Sequence, residues 1–495
     1  MPIRTGEQFI AGLRAHPRDV WVRGKRVHDV TAHPAFNGSV RALARLYDMQ
    51  HEAAHRSALT YVVPETGERA GLAFMPARSI EDLERRRDAF HLWAVSNFGL
   101  MGRSPDFLNV TLLAFAEAKE RFAHHAPLAS GRDRPDFAEN IARYYAHVRD
   151  NDLFLSHALI APQNDRSKQS SELANLHLRV IRETDAGIHV SGARMIATLG
   201  PVSDEMMIYN LPTFKPGDED HAIMFAVPTH AEGLRQICRE PYMTTEAQSF
   251  DHPLATRFEE NDSLLIFDNV LVPWERVFCY RDVALSNSLY TQTALRNYTA
   301  HQTNTRALVK MQFAVGLAVS VARAIKADQF LHVQQMLGEC LNYVEEIKSA
   351  LVRSEVEAET TAQGTLRPSL APLQALRTRL PTTYPRVIEV LQTIGAGGFM
   401  LMPSGADLAA PELSADTQLY YQGAGMPALD RVKLFKLAWD LAGESFGQRL
   451  VQYERYYAGD PVRNLAMNYL SCDDAEMMKL VGGALDLAGR PVRPG

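Results

Sequence analysis

The hydrophobic pattern changes its period twice along this 495-residue chain, and this limits the possible folds more than any other feature. Before about residue 150, and again after about 285, apolar residues recur at helical spacing. Between about 155 and 280, stretches such as LHLRVIRETDAGIHVSGARMIATLG alternate apolar and polar residues and are broken by turn signals. This order predicts a mainly helical domain over 1–152, a β domain (barrel or sandwich) over 153–283, and a helical domain over 284–495.

Local signals place the ends of several helices. Ser79 is predicted to cap one helix, Gly102 to end it, and Ser104-Pro105-Asp106 to begin the next. Arg103 therefore lies in a break between two apolar segments, where a charge seldom lacks a partner. Farther along, the prolines at 368, 372, 381 and 385 and the stretch IGAGGFM predict loops between two helical segments.

Composition excludes several classes of function. A net charge of −6 argues against a nucleic-acid-binding surface. The N-terminal residues lack the apolar region of a secretory signal, and no apolar run approaches the roughly 18 residues that span a membrane, so we expect a cytoplasmic protein. The four cysteines are widely spaced, with no CxxC pair, which predicts reduced thiols and no metal site.

Common catalytic motifs do not fit this sequence. Gly395-Ala396-Gly397-Gly398 lacks the third glycine of a dinucleotide-binding fingerprint, and no GxxxxGK[ST], GxSxG or HExxH occurs. His157 and His301 have polar neighbours, and Thr198 ends a predicted strand. From the residues alone, each of these three is compatible with a structural or a functional role.

Longer motifs carry a resemblance that runs through nearly the whole chain. They include MGRSPDF, LSHALIAPQNDR, LATRFEENDSLLIFDNVLVPWERV, DRVKLFKLAWDLAGESFGQR and YERYYAGD. In these the chain resembles the oxygenase components of two-component flavin-dependent aromatic hydroxylases, the 4-hydroxyphenylacetate 3-monooxygenase and chlorophenol monooxygenase family. The resemblance implies an α+β, acyl-CoA dehydrogenase-like fold with an N-terminal helical domain, a middle β-barrel domain and a C-terminal four-helix bundle that assembles homotetramers.

The resemblance also implies a reaction. A separate NAD(P)H-dependent flavin reductase would release reduced FAD by diffusion, and molecular oxygen would add to it to form a flavin C4a-hydroperoxide. The distal oxygen would then hydroxylate a phenolic compound, commonly ortho to its hydroxyl group. The resemblance leaves open which phenol is used, whether a ring substituent is eliminated, whether the flavin is FAD or FMN, and whether the chain forms dimers or tetramers.

Site residues follow from the matching motif positions. Arg103 would stabilise a peroxide or phenolate anion, and His157 would act as the base for the phenol. His301 would contact substrate or peroxide, as in the branch that uses chlorinated or nitrated phenols. Phe107 stands where hydroxyphenylacetate enzymes often carry tyrosine, which favours a less polar or substituted phenol. The expected flavin-binding residues are His157, Ala158, Leu159, Gln163, Asn164, Asp165, Arg166, Thr198, Ala458, Gly459 and Asp460.

Three alternatives differ in chemistry. An acyl-CoA dehydrogenase would need a catalytic carboxylate above the flavin. An iron–sulfur dehydratase would need three cysteines near Arg103 and His301, where the sequence has none. A non-catalytic assembly could bind flavin or an aromatic ligand without turnover, but the presence of Arg103, His157 and Thr198 disfavours it.

Overall fold

The computed structural model describes residues 3–123, 136–243 and 248–488. Its N-terminal part consists mainly of helices: α1 (Gly6–Ala15), α2 (Asn37–Met49), α3 (Arg56–Leu59), α4 (Ile80–Ser96), α5 (Pro105–Glu117) and α6 (Phe137–Asn151). Four short strands lie between them: β1 (Asp19–Val22), β2 (Lys25–Val27), β3 (Thr60–Val62) and β4 (Arg69–Gly71).

The prediction that Gly102 ends the first of the two helices beside Arg103 is wrong. Ser79 caps α4 by accepting a hydrogen bond from the Asp82 amide at 3.2 Å, but the helix ends at Ser96. Phe98 then takes a left-handed backbone conformation (φ 56°), which a continuing α-helix cannot contain. Gly102 has a different role, because a Cβ there would lie 2.4 Å from the Tyr453 hydroxyl. Its missing side chain lets Tyr453 approach the backbone beside Arg103.

The middle of the chain forms two sheets. Its strands are β5 (Leu155–Ala158), β6 (Arg179–Thr184), β7 (Gly187–Thr198), β8 (Glu205–Ile208), β9 (Ile223–Pro228), β10 (Leu234–Cys238), β11 (Asp262–Pro273) and β12 (Val277–Tyr280), with α7 (Ala255–Phe258) before β11. The larger sheet has the order β2-β1-β10-β11-β7-β6 and the smaller one β12-β9-β8-β5. Since β1 pairs in parallel with β10, the N-terminal segment shares a sheet with the middle region.

Three long helices dominate the remainder: α9 (Leu295–Ala324), α10 (Leu331–Val356) and α11 (Leu370–Met400), with α8 (Val283–Gln292) before them. α9 contacts α10, α11 and α14 (Ala428–Ala442), and these four helices form the bundle. By length and composition α9 could span a membrane, with a mean hydropathy of 1.4 in its most apolar window. However, 67% of that window is buried inside the protein, as in a core helix.

Most of the loop structure predicted from the prolines and IGAGGFM is not observed, although Pro368 does lie outside any helix or strand. Pro372, Pro381 and Pro385 all lie within α11, and the helix is interrupted only at Ala396, where φ is 44°. Two interior prolines cost helix stability, but one face of α11 is buried against α9, α10, α14 and α15 (Ser445–Tyr456). Tertiary packing therefore overrides the local signal.

The last part of the chain leaves apolar surface uncovered. It contains α12 (Gly405–Ala409), α13 (Ser414–Tyr420), α16 (Pro461–Leu470) and α17 (Ala475–Asp486), and the hairpin β13 (Glu359–Thr360) and β14 (Leu366–Arg367) precedes α11. Neither α16 nor α17 contains a buried residue. The exposed fraction reaches 83% for Tyr469 and 77% for Leu480, which is unusual for large apolar side chains.

Candidate active site

Three elements bring the central side chains together. Arg103 lies two residues before α5, whose first turn carries Phe107, while His157 lies on β5 and Tyr453 on α15. The Arg103 guanidinium carbon lies 4.3 Å from the centre of the Phe107 ring, and the His157 and Phe107 rings meet edge to face at 5.4 Å. The structure thus brings His157 into one cluster with Arg103 and Phe107, although it lies some 50 residues farther along the chain.

The hydrogen bonds of His157 define its tautomer. Arg103 donates from Nε to His157 Nε2 at 3.2 Å, so Nε2 must be the unprotonated nitrogen. The proton is therefore on Nδ1, which lies 2.9 Å from the Tyr209 hydroxyl. Burial, and then the charge of Arg103, lower the pKa of His157 well below its ordinary value. His157 is consequently a neutral imidazole whose acceptor nitrogen faces Arg103.

Arg103 is a cation with neutral partners. Its Nη1 donates to the Tyr453 hydroxyl and to the Gly102 carbonyl at 3.1 Å. Tyr453 in turn donates to the same carbonyl at 3.2 Å. Among the residues that the structure describes, no carboxylate forms an ion pair with this guanidinium, so its charge is available to an anion.

A buried ion network supports the backbone of this cluster. Glu260 accepts the Arg103 amide at 2.8 Å and pairs with Arg449 at 2.9 Å. Arg449 also pairs with Asp262 at 2.8 Å, and Asp262 accepts the Thr198 hydroxyl at 2.7 Å. Burial alone would raise the pKa of Asp262, but Arg449 and the nearby Arg239 lower it to about 2.

Thr198 is also hydrogen-bonded to β5, the strand that carries His157. Ser156 donates from its hydroxyl to the Thr198 carbonyl at 2.7 Å, which ties the end of β7 to β5. Ala158 and the half-buried Leu159 continue from His157 along this edge. The site therefore has two sides, with the phenylalanine–histidine–arginine cluster on one and the strand ends on the other.

Other predicted flavin-binding residues lie on two loops. Residues 163–168 of the loop that follows β5 are exposed. Within this loop Arg166 donates to Gln163 at 2.8 Å, and Asp165 caps its own turn through Ser167. Asn164 is exposed in the same loop. Polar groups here are open to a ligand.

The second loop follows α15. Ala458 is buried, Gly459 adopts φ 99°, and Asp460 caps α16 by accepting amides of its first turn. Arg377 of α11 donates to the Ala458 carbonyl at 2.6 Å, which holds this loop against the bundle.

The structure places His301 in a different environment from Arg103 and His157. It is fully buried in α9, and its Nε2 lies 2.8 Å from Glu355 of α10, which also pairs with Arg87. Its Nδ1 is buried without a hydrogen-bond partner. None of the contacts described for His301 reaches Arg103, Phe107 or His157.

This arrangement suits a particular chemistry. A neutral imidazole acceptor and an uncompensated guanidinium converge beside an aromatic face, which fits an acidic phenol and an anionic reduced flavin. Among the described residues, no group of three or more His, Cys, Asp or Glu side chains is arranged to hold a metal ion. The helix–sheet–helix fold and this cluster define a flavoenzyme-type site for acid–base and anion chemistry.

Comparison with known proteins identifies the family. The profile described as "4-hydroxyphenylacetate 3-hydroxylase N terminal" matches residues 5–279, and "4-hydroxyphenylacetate 3-hydroxylase C terminal" matches 286–486. The oxygenase component of 4-hydroxyphenylacetate 3-monooxygenase from Thermus thermophilus is 41% identical over 462 residues, covering 93% of this chain and 92% of that protein. The chain belongs to the 4-hydroxyphenylacetate 3-hydroxylase family.

Other relatives extend the comparison. The oxygenase component of a 4-nitrophenol 2-monooxygenase from Rhodococcus is 34% identical over 467 residues, covering 92% of this chain and 86% of that protein. A solved oxygenase component of 4-hydroxyphenylacetate 3-monooxygenase, complexed with FAD and 4-hydroxyphenylacetate, superposes with a TM-score of 0.91 at 40% identity, over 98% of each chain. An archaeal 4-hydroxybutyryl-CoA dehydratase shares the fold, with a TM-score of 0.86 at 20% identity, over 100% of this chain and 97% of that one.

Sequence reasoning missed several residues of the site. Tyr453 and Tyr209 orient Arg103 and His157, but a buried tyrosine has no distinctive spacing in the sequence. Glu260 and Asp262 had a signal, since the run EEND directly before an apolar strand places acidic side chains where burial requires cationic partners. Arg449, which lies in the quoted segment GESFGQR, is that partner.

Proposed function

We propose that this protein is the oxygenase component of a two-component, flavin-dependent aromatic hydroxylase. It would use reduced FAD and molecular oxygen to hydroxylate a phenolic compound. The observation that carries the proposal is the cluster of Arg103, Phe107 and His157, in which an unpaired guanidinium and a neutral imidazole share one hydrogen bond beside an aromatic ring. Membership of the family and the relatives named above support it.

Arg103 would bind the oxygen of the substrate or another anion that develops beside it. Its position is fixed from two directions, since Glu260 holds its amide and Tyr453 its guanidinium. A preoriented donor of this kind stabilises negative charge without reorganising during the reaction. Phenolate stabilisation also makes the phenol more acidic and its ring carbons more electron-rich.

His157 would hold the phenol proton. Because its pKa is well below the ordinary value, the imidazole is neutral near physiological pH and its Nε2 can accept a proton. The Nδ1 proton on the other side of the ring is directed at Tyr209, which fixes this tautomer. A phenol that enters would share or replace the Arg103 bond to Nε2.

The flavin would lie between the strand ends and the two loops. Bound reduced FAD would supply the electrons that activate oxygen. Thr198, the segment from Ala158 to Arg166 and the loop Ala458–Asp460 offer hydroxyl, amide and exposed polar groups to hold it. Contact between His301 and the substrate stays a prediction, because such a contact would compete with the hydrogen bond between His301 and Glu355.

The assembly and the partner are also part of the proposal. A homotetramer would cover the exposed apolar faces of α16 and α17 with further copies of this chain. A separate NAD(P)H-dependent reductase would supply reduced flavin by diffusion. We propose a cytoplasmic location, to which the four free cysteines are suited.

An acyl-CoA dehydrogenase activity is disfavoured by the carboxylates of the site. Glu260 is occupied by Arg449 and the Arg103 amide, and Asp262 by Arg449 and Thr198. In the part of the chain that the structure describes, neither carboxylate is free to abstract a proton from a thioester.

The test is an anaerobic stopped-flow experiment. Purified protein with reduced FAD is mixed with oxygenated buffer, alone and with each member of a panel of phenols. We expect a transient absorbing species before oxidised FAD appears, and at least one phenol that is converted to a catechol-type product as that species decays. Reoxidation that yields only hydrogen peroxide with every phenol would contradict the proposal and favour the flavin-binding alternative.

A further inference from the structure

Three charged side chains are buried together next to Tyr453. Arg306 and Lys310 belong to α9 and Glu454 to α15, and each is only 1% exposed. Arg306 Nη1 lies 2.9 Å and Lys310 Nζ 2.8 Å from the same oxygen, Oε1 of Glu454. In the part of the chain that the structure describes, neither cation forms another ion pair, so two cations share one carboxylate. A surplus charge is costly to bury, and such groups concentrate at functional sites.

The cluster contacts residues 97–104, the segment between α4 and α5 that carries Arg103, which we call the Arg103 segment. Arg306 Nη1 donates a hydrogen bond to the Gly99 carbonyl at 3.0 Å. Gly99 has a φ of 68°, and a Cβ there would lie 2.5 Å from the amide nitrogen of Lys310. The Arg103 segment is therefore packed directly against the backbone of α9 and is bonded to the Arg306 side chain.

The cluster also contacts Tyr453, whose hydroxyl accepts a hydrogen bond from Arg103. The Arg306 guanidinium carbon and Lys310 Nζ each lie 5.5 Å from the centre of the Tyr453 ring, within the range of cation–π attraction. Glu454 is the next residue of α15, so its ion pairs hold the turn that carries Tyr453. The cluster thus joins α9, α15 and the Arg103 segment at one point.

We propose that Arg306, Lys310 and Glu454 form a charged brace that holds Tyr453 and the Arg103 segment, and thereby keeps Arg103 directed at the substrate. The three are positioning residues, because they act on the reaction through Tyr453 and Arg103. The inference rests on the proposed function and concerns how much of the reduced flavin yields product. A catalytic group displaced by about 1 Å can cost a factor of about 100 in rate, and hydrogen peroxide would then replace the product.

Lys310 makes the brace sensitive to pH. Burial lowers the pKa of Lys310 to about 8, the charge of Arg306 acts in the same direction, and Glu454 opposes both. The other ionisable groups around its ammonium group are Tyr384, Tyr453 and Glu260. As the pH rises above about 8, Lys310 becomes neutral and loses its charge-assisted bond to Glu454, so we expect the brace to loosen.

Lys310→Met is the main test variant. It removes the surplus cation and leaves Glu454 paired with Arg306, so no carboxylate remains buried without a cation. Lys310→Arg keeps a charge that does not titrate below about pH 12. The matched control is Lys348→Met, because Lys348 is an exposed residue of α10 that pairs with Glu345 at 2.8 Å.

The first measurement needs neither flavin nor phenol. Hydrogen–deuterium exchange, followed by mass spectrometry at one pH near 7, compares peptides of the Arg103 segment with peptides of β7 and β11. We expect Lys310→Met to speed exchange in the Arg103 segment about 10-fold, the effect of one charge-assisted hydrogen bond, and to leave the strands unchanged. Lys348→Met should exchange like the wild type throughout.

The second measurement is the yield of hydroxylated product and of hydrogen peroxide in a single turnover with reduced FAD, between about pH 7 and 9. The wild-type product yield should fall about 3- to 10-fold over this range, toward the yield of Lys310→Met, because about nine-tenths of Lys310 is neutral one unit above its pKa. Lys310→Arg should keep its yield. Ionisation of the phenol and of His157 affects the wild type and Lys310→Arg alike, so the difference between the two profiles reports Lys310.

Three results would overturn the brace. One is wild-type exchange in the Arg103 segment of Lys310→Met, and another is exchange that is faster to the same degree in every peptide, which would mean general destabilisation. The third is a wild-type pH profile that Lys310→Arg reproduces, and this comparison decides alone if Lys310→Met does not fold. Failure of the proposed function is distinguishable, because faster exchange confined to the Arg103 segment would sustain the brace even if the wild type hydroxylated no phenol.

Discussion

Replacing Arg103 with lysine tests how much the shape of the cation matters. Lysine keeps the charge, but its single ammonium cannot donate to His157, Tyr453 and the Gly102 carbonyl from the positions that the planar guanidinium uses. It also loses the stacking of the guanidinium over the Phe107 ring at 4.3 Å. One charge-assisted hydrogen bond contributes about 1.5–3 kcal/mol, and cation–π stacking roughly 0.5–1 kcal/mol.

Together these losses amount to about 2–4 kcal/mol of stabilisation at the reacting oxygen. Since about 1.4 kcal/mol corresponds to a factor of ten in rate, we expect Arg103→Lys to slow hydroxylation by roughly 30- to 1,000-fold. Reoxidation of reduced FAD should continue, so hydrogen peroxide should replace the hydroxylated product.

The assay is a single turnover with a limiting amount of reduced FAD, in which product and hydrogen peroxide are both quantified. Arg379→Lys serves as the control, because that side chain is exposed and pairs with Glu346 instead of a residue of this cluster. Wild-type product yield and rate in Arg103→Lys would refute the reasoning, since they would mean that any cation suffices there.

Four further outcomes are expected. Phe107→Tyr places a hydroxyl beside Arg103 and should lower the KM for a phenol by about 2- to 10-fold, the value of one hydrogen bond, in steady-state assays. Asp262→Asn should lower the free energy of unfolding in urea by roughly 3 kcal/mol. The pKa of Asp262 in the folded protein is about 2, below the usual value, so its stabilisation should be complete above about pH 4 and disappear as the pH falls toward 2. His301→Gln should lower the free energy of unfolding by about 1–3 kcal/mol and leave the KM for phenols unchanged. A loss of product yield with no loss of stability would instead mean that His301 contacts the substrate. Leu480→Glu should shift sedimentation toward smaller assemblies, and an unchanged mass would remove α17 from the interface.

The sequence predicted the order of the helical and β segments along the chain but not all of their boundaries. The change from helical to alternating spacing located the sheets, because each period reflects which face is buried. It could not show that β1 joins β10 across more than 200 residues, since pairing between distant strands leaves no local signal. The prolines of α11 led to a wrong prediction of loops, because the packing of the helix outweighs their local cost to helix stability.

The candidate site shows a similar division. Arg103 stood out because a charge in a break between apolar segments needs a partner, and His157 because of its motif. Their meeting, and the tautomer set by Tyr209, depend on contacts across more than 50 residues that only the folded chain provides.

The central claim is that this chain transfers an oxygen atom from molecular oxygen to a phenol. The most direct measurement is one turnover of the protein with reduced FAD, ¹⁸O₂ and the phenol that responds best in the stopped-flow panel, followed by mass spectrometry of the product. We predict a single ¹⁸O atom in the new hydroxyl group. A product without ¹⁸O, or label found only in hydrogen peroxide, would contradict the account.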